Sequence, residues 1–419
     1  NPRLIALEPL IEAGWLSPDS GPQASEDGRI YRQRRLSEAH QGFQQHGGAE
    51  RDTYAVFQRH HAHWLDDYAL YQTVRATHRQ KAWFDWPRAL RDRLPDALTA
   101  VRNEYAEIID QHKFEQFLFF RQWTALKQYA NEHGILIFGD IPLFVGYDSA
   151  DVWAQREAFL LDAEGRRKVM AGVPPDYFSA TGQLWGNPHY DWDTMRENDF
   201  QWWKERIRTQ FTQFDLLRID HFRGLEAYWE IPADAETAIH GRWQTAPGDE
   251  LFNALREEFG DLPLVAEDLG IITPEVESLR DAQRLPGMKV LHFAFGGGAD
   301  NAYLPHHHVP NAVVYTGTHD NNTTLGWFHE LDAGTRHHLF DYLGGTPEQM
   351  PELLVRAAFA SVARLAIVPM QDVLELDGEH RMNRPGVGDG CWRWRFHWEQ
   401  VKPQIAGHYR HLLELYGRV

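Results

Sequence analysis

The hydrophobic pattern between residues 131 and 374 consists of short, continuous apolar runs separated by stretches with helical spacing. Continuous apolar runs that end in turn residues are typical of strands buried on both faces. Their alternation with helices predicts a parallel α/β architecture. The six predicted strands lie in ILIFGDIPLF (135–144), FDLLRIDHF (214–222), LPLVAEDLG (262–270), MKVLHFAFG (288–296), NAVVYTGTHD (311–320) and RLAIVPMQDVL (364–374). The predicted helices between them span 200–213, 249–259, 274–283 and 351–363.

Two regions depart from this alternation. Residues 1–130 are predicted to be mostly helical, and the spacing is clearest at 64–78 and 113–130. The segment 145–213 is too long for a simple strand–helix connection and contains PPDY and TGQLWGNP, so we expect a folded insertion or an ordered binding loop there. We therefore expect 1–130 to form a helical segment and insertion, and 131–419 to form the rest of the α/β domain.

Charged residues and histidines follow the predicted strands at the points where the strands end. The carboxyl ends of parallel strands meet at one rim, which in a TIM-type (β/α)8 barrel holds the active site. A Rossmann-type sheet also binds ligands at strand ends, but it needs a GxGxxG turn, and the GGG at 296–298 lacks the features of a phosphate loop. We therefore predict a TIM-type (β/α)8 barrel with helical insertions. The residues at its rim are Asp140, Arg218, Asp220, His221, Glu267, Asp268, His319 and Asp320.

Composition narrows the ligand class. The 419 residues are 43% hydrophobic and 24% charged, which is typical of a globular enzyme. A formal net charge of −18 argues against nucleic acid and against an anionic membrane surface, so neutral ligands fit best. The single cysteine, Cys391, excludes an intrachain disulfide and favours the cytoplasm. We expect neither a membrane span nor a signal peptide.

Aromatic residues are unusually frequent, at 13% of the chain with 16 tryptophans. Tryptophan and tyrosine combine a flat apolar face with a polar edge, which suits the apolar patches of sugar rings. Most of these residues are expected to pack in the core. The remainder are candidates for a sugar-binding groove.

Arg218 and Asp220 are two residues apart on a predicted strand, so their side chains point to the same face. The guanidinium can keep the carboxylate ionised and fix its orientation, as a glycosidase nucleophile requires. A structural ion pair inside the barrel is the alternative.

Glu267 ends the following predicted strand and is the candidate proton donor, whereas we expect its neighbour Asp268 to cap a helix or turn. A carboxylate separation of about 5–5.5 Å would predict retention of configuration, and about 6.5–9.5 Å inversion. The sequence leaves both outcomes open.

His319 and Asp320 are a third candidate pair, for which metal binding competes with catalysis. Zinc normally takes three or four clustered ligands. The other histidines, such as those at 306–308 and 60–61, fall in predicted loops without matching partners. We expect no catalytic metal.

With these residues in place, the chain closely resembles the amylomaltases, the 4-α-glucanotransferases of glycoside hydrolase family seventy-seven in the α-amylase clan. The resemblance covers most of 131–390 and is weaker on both sides. The matching segments are GDIPLFVGYDSADVW (139–153), AGVPPDYFSATGQLWGNPHYDW (171–192), LRIDHFRGLEAYWEIP (217–232), LVAEDLGIITPEVESLRD (264–281), LPGMKVLHFAFG (285–296), YTGTHDNNTTLGW (315–327), SVARLAIVPMQDVL (361–374) and MNRPG (382–386).

The resemblance implies a role for each matching residue. Asp220 would be the nucleophile, positioned by Arg218, and Glu267 would be the general acid and then the general base. Asp320, assisted by His319, would stabilise the transition state. The other substrate-binding residues implied are Asp140, Tyr177, Phe178, Gln183, Trp185 and His221. The family needs no nicotinamide, flavin or essential metal, so we expect no cofactor.

Three departures from the family pattern stand out. The chain starts at NPRLI, so we expect the first barrel strand and a Ser-Pro-Tyr stretch to be missing from it. Asn322 occupies a position where the family more often has aspartate. We also expect no counterpart of the extra N-terminal domain of some bacterial members.

We predict a 4-α-glucanotransferase that moves segments of maltodextrin, amylose or glycogen-derived glucans by a retaining double displacement. A hydrolase of the same clan is the nearest alternative. A non-catalytic glucan-binding protein is a second alternative, favoured only if the first strand is indeed missing. Oligomeric state is not predicted.

Overall fold

Long helices make up the first part of the chain, where apolar positions recur at helical intervals. The computed structural model describes residues 1–19, 21–22, 26–175, 179–387 and 389–419. Within these residues the chain divides into two units, Asn1–Pro263 and Leu264–Val419. Up to residue 132 the helices are α1 (Glu8–Glu12), α2 (Gly28–His46), α3 (Glu50–His60), α4 (Ala62–Thr77), α5 (Arg88–Arg91), α6 (Pro95–Glu104) and α7 (Ala106–Glu132). The helices predicted at 64–78 and 113–130 are confirmed.

An aromatic cluster holds this helical region together. Phe43 of α2 and Phe114 of α7 have ring centroids 4.7 Å apart, and Tyr54 of α3 packs edge-on against Phe43 at 5.7 Å. Phe114 is completely buried. Burial of aromatic surface supplies most of the stabilisation of such a helical layer.

The rest of the first unit carries the strands of the predicted α/β pattern. Strands β1 (Phe138–Pro142) and β4 (Leu216–Asp220) pair in parallel, with Asp140 opposite Arg218. The remaining strands are β2 (Val169–Val173), β3 (Gln183–Leu184), β5 (Ala227–Pro232) and β6 (Arg242–Thr245). The remaining helices are α8 (Ala150–Ala154), α9 (Trp192–Glu197), α10 (Gln201–Gln213) and α11 (Gly248–Phe259).

An antiparallel sheet with the order β3-β2-β5-β6 was not predicted. Strand β2 (VMAGV) is apolar but only five residues long and contains a glycine. Strand β5 is interrupted by Glu230, and β3 and β6 are short and contain polar residues. Cross-strand pairs stabilise this sheet instead: Trp229 lies opposite Trp243, with ring centroids 5.1 Å apart.

The second unit repeats the alternation of strands and helices. Strands β8 (Gly287–Val290), β9 (Ala312–Tyr315) and β10 (Leu365–Ile367) form a parallel sheet, and β7 (Leu264–Ala266) precedes them. Its helices are α12 (Pro274–Ala282), α13 (Thr324–Glu330), α14 (Ala333–Leu343), α15 (Glu352–Ala360), α16 (Met370–Val373) and α17 (Pro403–Leu415). The predicted α/β class, with parallel strands, is confirmed in each unit.

Tryptophan serves both the core and the surface. Six of the 16 are almost fully buried, namely Trp15, Trp83, Trp86, Trp153, Trp192 and Trp203. Four are exposed, namely Trp185, Trp243, Trp392 and Trp398. In the described ranges, no helix has both the length and the apolar character needed to cross a bilayer.

Candidate active site

The first group of predicted site residues lies at the carboxyl ends of β1 and β4. Arg218 is almost buried, at 6% exposure, and its guanidinium bonds two carboxylates. Nε donates to Oδ1 of Asp140 at 2.9 Å, and Nη2 donates to Oδ1 of Asp220 at 2.6 Å. Both aspartate side chains keep more than two-fifths of their surface exposed. The shared face predicted for Arg218 and Asp220 is therefore confirmed, and one buried cation orients two accessible carboxylates.

This arrangement predicts a specific defect when Arg218 is replaced by Lys. A single ammonium group cannot bond both Asp140 and Asp220 as the guanidinium fork does, so kcat/KM for maltotriose is expected to fall by about 10²-fold. Weaker support for the ionised carboxylate is expected to move the acidic limb of the pH–rate profile to higher pH.

The matched control is Arg196→Lys, because Arg196 pairs with Glu250 at an exposed position. Its pH–rate profile is expected to match that of the unmodified protein. A profile for Arg218→Lys that superimposes on the unmodified one would contradict the proposed role of the clamp.

His221 immediately follows β4 in the left-handed backbone region, with φ of 56°. Desolvation lowers the pKa of His221 to about 4, so its ring is neutral at pH 7. The indole of Trp185 meets this ring edge-on, with centroids 4.8 Å apart, and its Nε1 donates to Oε1 of Gln183 at 3.1 Å. Three predicted substrate-binding residues are thus brought together, and Trp185 is still 37% exposed.

Two other predicted residues, Tyr177 and Phe178, lie outside the described residues. The chain is described again from Ser179, whose Oγ donates to the carbonyl of Gly182 at 2.6 Å. Gly182 has φ of 68°, and a Cβ there would lie 2.4 Å from the carbonyl oxygen of Val173. Glycine is therefore required where this loop turns back toward Gln183.

In the second unit, Glu267 directly follows β7. Its Oε1 accepts a hydrogen bond from the amide of Leu269 at 3.0 Å. This contact fixes one carboxylate oxygen by a backbone group. A carboxylate held in a fixed orientation is suited to proton transfer, as the predicted acid and base role of Glu267 requires.

The expectation that Asp268 caps a helix or turn is wrong. Helix α12 has Thr273 at its N-cap. Asp268 is instead buried: it accepts from Nη1 of Arg280 at 2.5 Å and from the amide of Met288 at 2.7 Å. A Cβ at Gly287 would lie 2.3 Å from its Oδ2, so this carboxylate fastens β8 and α12 and needs glycine beside it.

His319 and Asp320 lie together on the turn after β9. Nε2 of His319 is 3.4 Å from Oδ2 of Asp320. Oδ1 of Asp320 accepts from Nδ2 of Asn383 at 2.7 Å, and the carbonyl of Asp320 accepts from Nη2 of Arg381 at 3.1 Å. Asn383 therefore fixes one oxygen of the carboxylate, while 45% of the Asp320 side chain remains exposed.

A buried carboxylate, that of Asp372, stabilises the turn that carries His319 and Asp320. Asp372, at 1% exposure, accepts from Oγ1 of Thr316 at 2.7 Å and from the amide and Oγ1 of Thr324 at 2.8 and 2.6 Å. Burial raises the pKa of Asp372, and the hydrogen bonds from the two threonines oppose that rise. Since Thr316 and Thr324 flank the turn at its two ends, Asp372 ties those ends together.

Comparisons with known proteins identify the family. The model of the 4-alpha-glucanotransferase family, glycoside hydrolase family 77, matches residues 1–401. A 4-alpha-glucanotransferase of Synechocystis is 46% identical, with 100% of this chain and 86% of the relative covered. One from Thermus thermophilus is 47% identical, with 100% and 87% covered.

The chain belongs to the 4-alpha-glucanotransferase family. The resemblance stated from the sequence is therefore confirmed. Solved structures agree: an amylomaltase from Streptococcus agalactiae, in complex with acarbose, superimposes with a TM-score of 0.94 at 36% identity, covering 100% of this chain and 86% of that one. An amylomaltase from Corynebacterium glutamicum shares the fold, with a TM-score of 0.71 at 18% identity over 94% of this chain and 61% of that one.

Asn322, for which the sequence predicts a departure from the family pattern, bonds Glu330 and Thr323. Its Nδ2 donates to Oε1 of Glu330 at 2.8 Å, and its Oδ1 accepts from the amide of Thr323 at 2.9 Å. An aspartate here would place a second carboxylate against Glu330. The neutral amide of Asn322 therefore suits its contact with Glu330.

Asn383 and Arg381 are site residues that sequence reasoning missed. Asn383 lies in the MNRPG segment that carried part of the resemblance, but no role was assigned to it. The segment is more than 60 residues from Asp320 along the chain. The available signal for Asn383 was that MNRPG matches the family although none of its residues had been given a role.

Proposed function

We propose that this family member is a 4-α-glucanotransferase that works by a retaining double displacement through Asp220. The observation that carries the proposal is the accessible Asp220 carboxylate, bonded at 2.6 Å by the buried Arg218. A carboxylate kept ionised and fixed in orientation is suited to attack an anomeric carbon. Family membership supplies the reaction class, a transfer of α-1,4-glucan segments.

In the first step, an oxygen of Asp220 attacks C1 of the glucose at the cleavage point. The bond between C1 and the glycosidic oxygen breaks, and Glu267 gives its proton to that oxygen. The products are a β-glucosyl ester on Asp220 and a shortened glucan with a new hydroxyl group. Asp320, with His319, binds hydroxyls of the reacting glucose and stabilises its oxocarbenium-like transition state.

In the second step, Glu267 acts as the base. It takes the proton of a 4-hydroxyl group on an incoming glucan or glucose while that oxygen attacks C1. The ester bond to Asp220 breaks, and the carboxylate is regenerated with a new α-1,4 linkage. Two inversions give net retention.

Transfer requires that a sugar hydroxyl meets the ester more often than water does. We assign the acceptor-binding role to the loop that carries Tyr177, Phe178, Gln183 and Trp185. The exposed Trp185 indole, set against His221, offers an apolar face to a sugar ring. Binding an acceptor there raises its local concentration and displaces water.

We further propose that the strands belong to a TIM-type (β/α)8 barrel whose rim carries the site. Its helical part would comprise residues 1–130, and the acceptor loops would lie in the insertion at 145–213. Maltodextrin, amylose and glycogen-derived glucans are the proposed substrates. The single cysteine at position 391 supports a cytoplasmic location.

Products formed from maltotriose test this function. Transfer yields glucose together with maltodextrins longer than maltotriose, because one substrate molecule serves as the acceptor. Hydrolysis yields only glucose and maltose, and a non-catalytic binding protein leaves maltotriose intact. We expect the ladder of longer products by chromatography, and its absence would overturn the proposal.

A further inference from the structure

Trp392 is an exposed tryptophan that the proposed mechanism does not use. Its side chain is 60% exposed, although indoles usually bury most of their surface. Its backbone has φ of 62°, a left-handed conformation that is unfavourable for a bulky side chain. Strained, exposed residues of this kind are concentrated at ligand-binding sites.

The surrounding contacts hold Trp392 in this conformation. Its amide donates to the carbonyl of Met382 at 2.8 Å, and this hydrogen bond joins Trp392 to the MNRPG segment. Beside it, the amide of Arg384 donates to Sγ of Cys391 at 3.4 Å. Asn383, in the same segment, bonds Asp320. The position of the indole is therefore coupled to the segment that holds the Asp320 carboxylate.

The indole also contacts the other member of that pair directly. The rings of Trp392 and His319 have centroids 5.1 Å apart and are inclined at 45°. His319 in turn lies 3.4 Å from Asp320. An exposed aromatic ring thus stands next to the two side chains proposed to bind hydroxyls of the reacting glucose.

We propose that Trp392 binds substrate, as the stacking platform for the glucose unit that adjoins the one held by Asp320 and His319. This inference rests on the proposed function of those two residues. The apolar face of a pyranose ring matches the indole face, and contact between them removes apolar surface from water. The nearby charges of Arg393 and Asp389 pair with each other at 3.0 Å, which suits a neutral ligand.

The competing role for Trp392 is to position His319 by packing alone. The two roles differ in their dependence on substrate length. A platform for the adjoining glucose matters only when the substrate has that second ring. If Trp392 only positions His319, its loss affects the reaction of a one-ring substrate as much as that of a longer one.

The experiment therefore compares Trp392→Ala on two donors. For maltotriose, loss of the stacking surface is expected to raise KM and lower kcat/KM about tenfold, with Trp392→Phe intermediate. For α-glucosyl fluoride, which has one ring, the rate of fluoride release is expected to stay within about twofold of the unmodified protein, a change worth less than half a kcal/mol. Equal losses on both donors, or no loss on either, would overturn the proposal.

Two further variants separate binding from folding. Trp392→Gly accommodates the left-handed backbone, so its melting temperature is expected to be at least that of Trp392→Ala while the KM defect persists. Trp398→Ala is the control, because Trp398 is 78% exposed and packs on Phe396. It is expected to leave both donors unaffected.

A direct binding measurement distinguishes failure of this inference from failure of the proposed function. If the unmodified protein forms no transfer products, the proposed function fails. Calorimetric titration with maltoheptaose then still tests the platform, since Trp392→Ala is expected to weaken binding about tenfold. Unchanged affinity would refute the role of Trp392.

Discussion

Replacing Asp220 by Asn is expected to reduce disproportionation of maltotriose by more than about 10⁴-fold, because the neutral amide cannot form the glycosyl ester. The substitution keeps the size of the side chain. Arg218 remains bonded to Asp140, so the guanidinium keeps one of its two anionic partners. The loss is therefore expected in kcat, with the melting temperature changed little.

Chemical rescue tests the assignment of the nucleophile more sharply. In Asp220→Ala, added azide is expected to occupy the vacated space and to attack α-glucosyl fluoride, giving β-glucosyl azide. The inverted product identifies Asp220 as the group that attacks from that face.

The control is Asp193→Asn, since the Asp193 side chain is 91% exposed and pairs only with Arg196 among the described ion pairs. We expect it to match the unmodified protein. Retention of more than about one hundredth of the transfer rate in Asp220→Asn would remove Asp220 from the proposed mechanism.

Replacing Glu267 by Gln is expected to lower transfer from maltotriose by about 10³–10⁴-fold, because glutamine cannot protonate the leaving oxygen. The amide oxygen of glutamine can still accept the hydrogen bond from Leu269, so the local backbone is expected to be preserved. The loss of transfer activity is therefore expected to come from the missing proton donor, with the backbone around Leu269 unchanged.

Comparing maltotriose with α-glucosyl fluoride as donors tests the proton-transfer step within the single variant Glu267→Gln. Fluoride leaves without a proton, so Glu267→Gln is expected to react with α-glucosyl fluoride and then stall, because the base for the second step is absent. Mass spectrometry is expected to find one glucosyl unit on the peptide that contains Asp220. Equal losses with both donors, and no trapped ester, would contradict the acid–base assignment.

The sequence was sufficient to predict the strands that carry the candidate site. Apolar runs locate β1, β4, β8 and β9 because each of these strands buries apolar side chains, such as Ile141, Leu217 and Val290. The pairing of Arg218 with Asp220 follows from the alternation of side chains along a strand, since residues two apart share a face. Their role in the chemistry came from the family resemblance.

The antiparallel sheet of the first unit could not be found in this way. Strands β2 and β5 pair Gly172 with Trp229. The apolar run of β2 is only five residues long and contains a glycine, and that of β5 is interrupted by Glu230. Their stability depends on cross-strand contacts, which connect positions far apart in sequence. Local periodicity contains no information about such partners.

Asp268 and Asn383 show the same limit for single side chains. Asp268 is in a sequence context that suits a cap, yet it is buried against Arg280 and the amide of Met288. Asn383 bonds Asp320 from a distant segment. A polar side chain takes the partner that desolvation leaves within reach, and burial is a property of the packed chain.

The sequence by itself determined the α/β class, the strands that end in carboxylates, and the family. These depend on local periodicity and on contiguous motifs, which are present before the chain folds. Only the tertiary structure decided which groups hold those carboxylates: the guanidinium shared by Asp140 and Asp220, and the amide of Asn383 on Asp320. Hydrogen bonds act over about 3 Å, so their partners are set only when folding brings distant segments together.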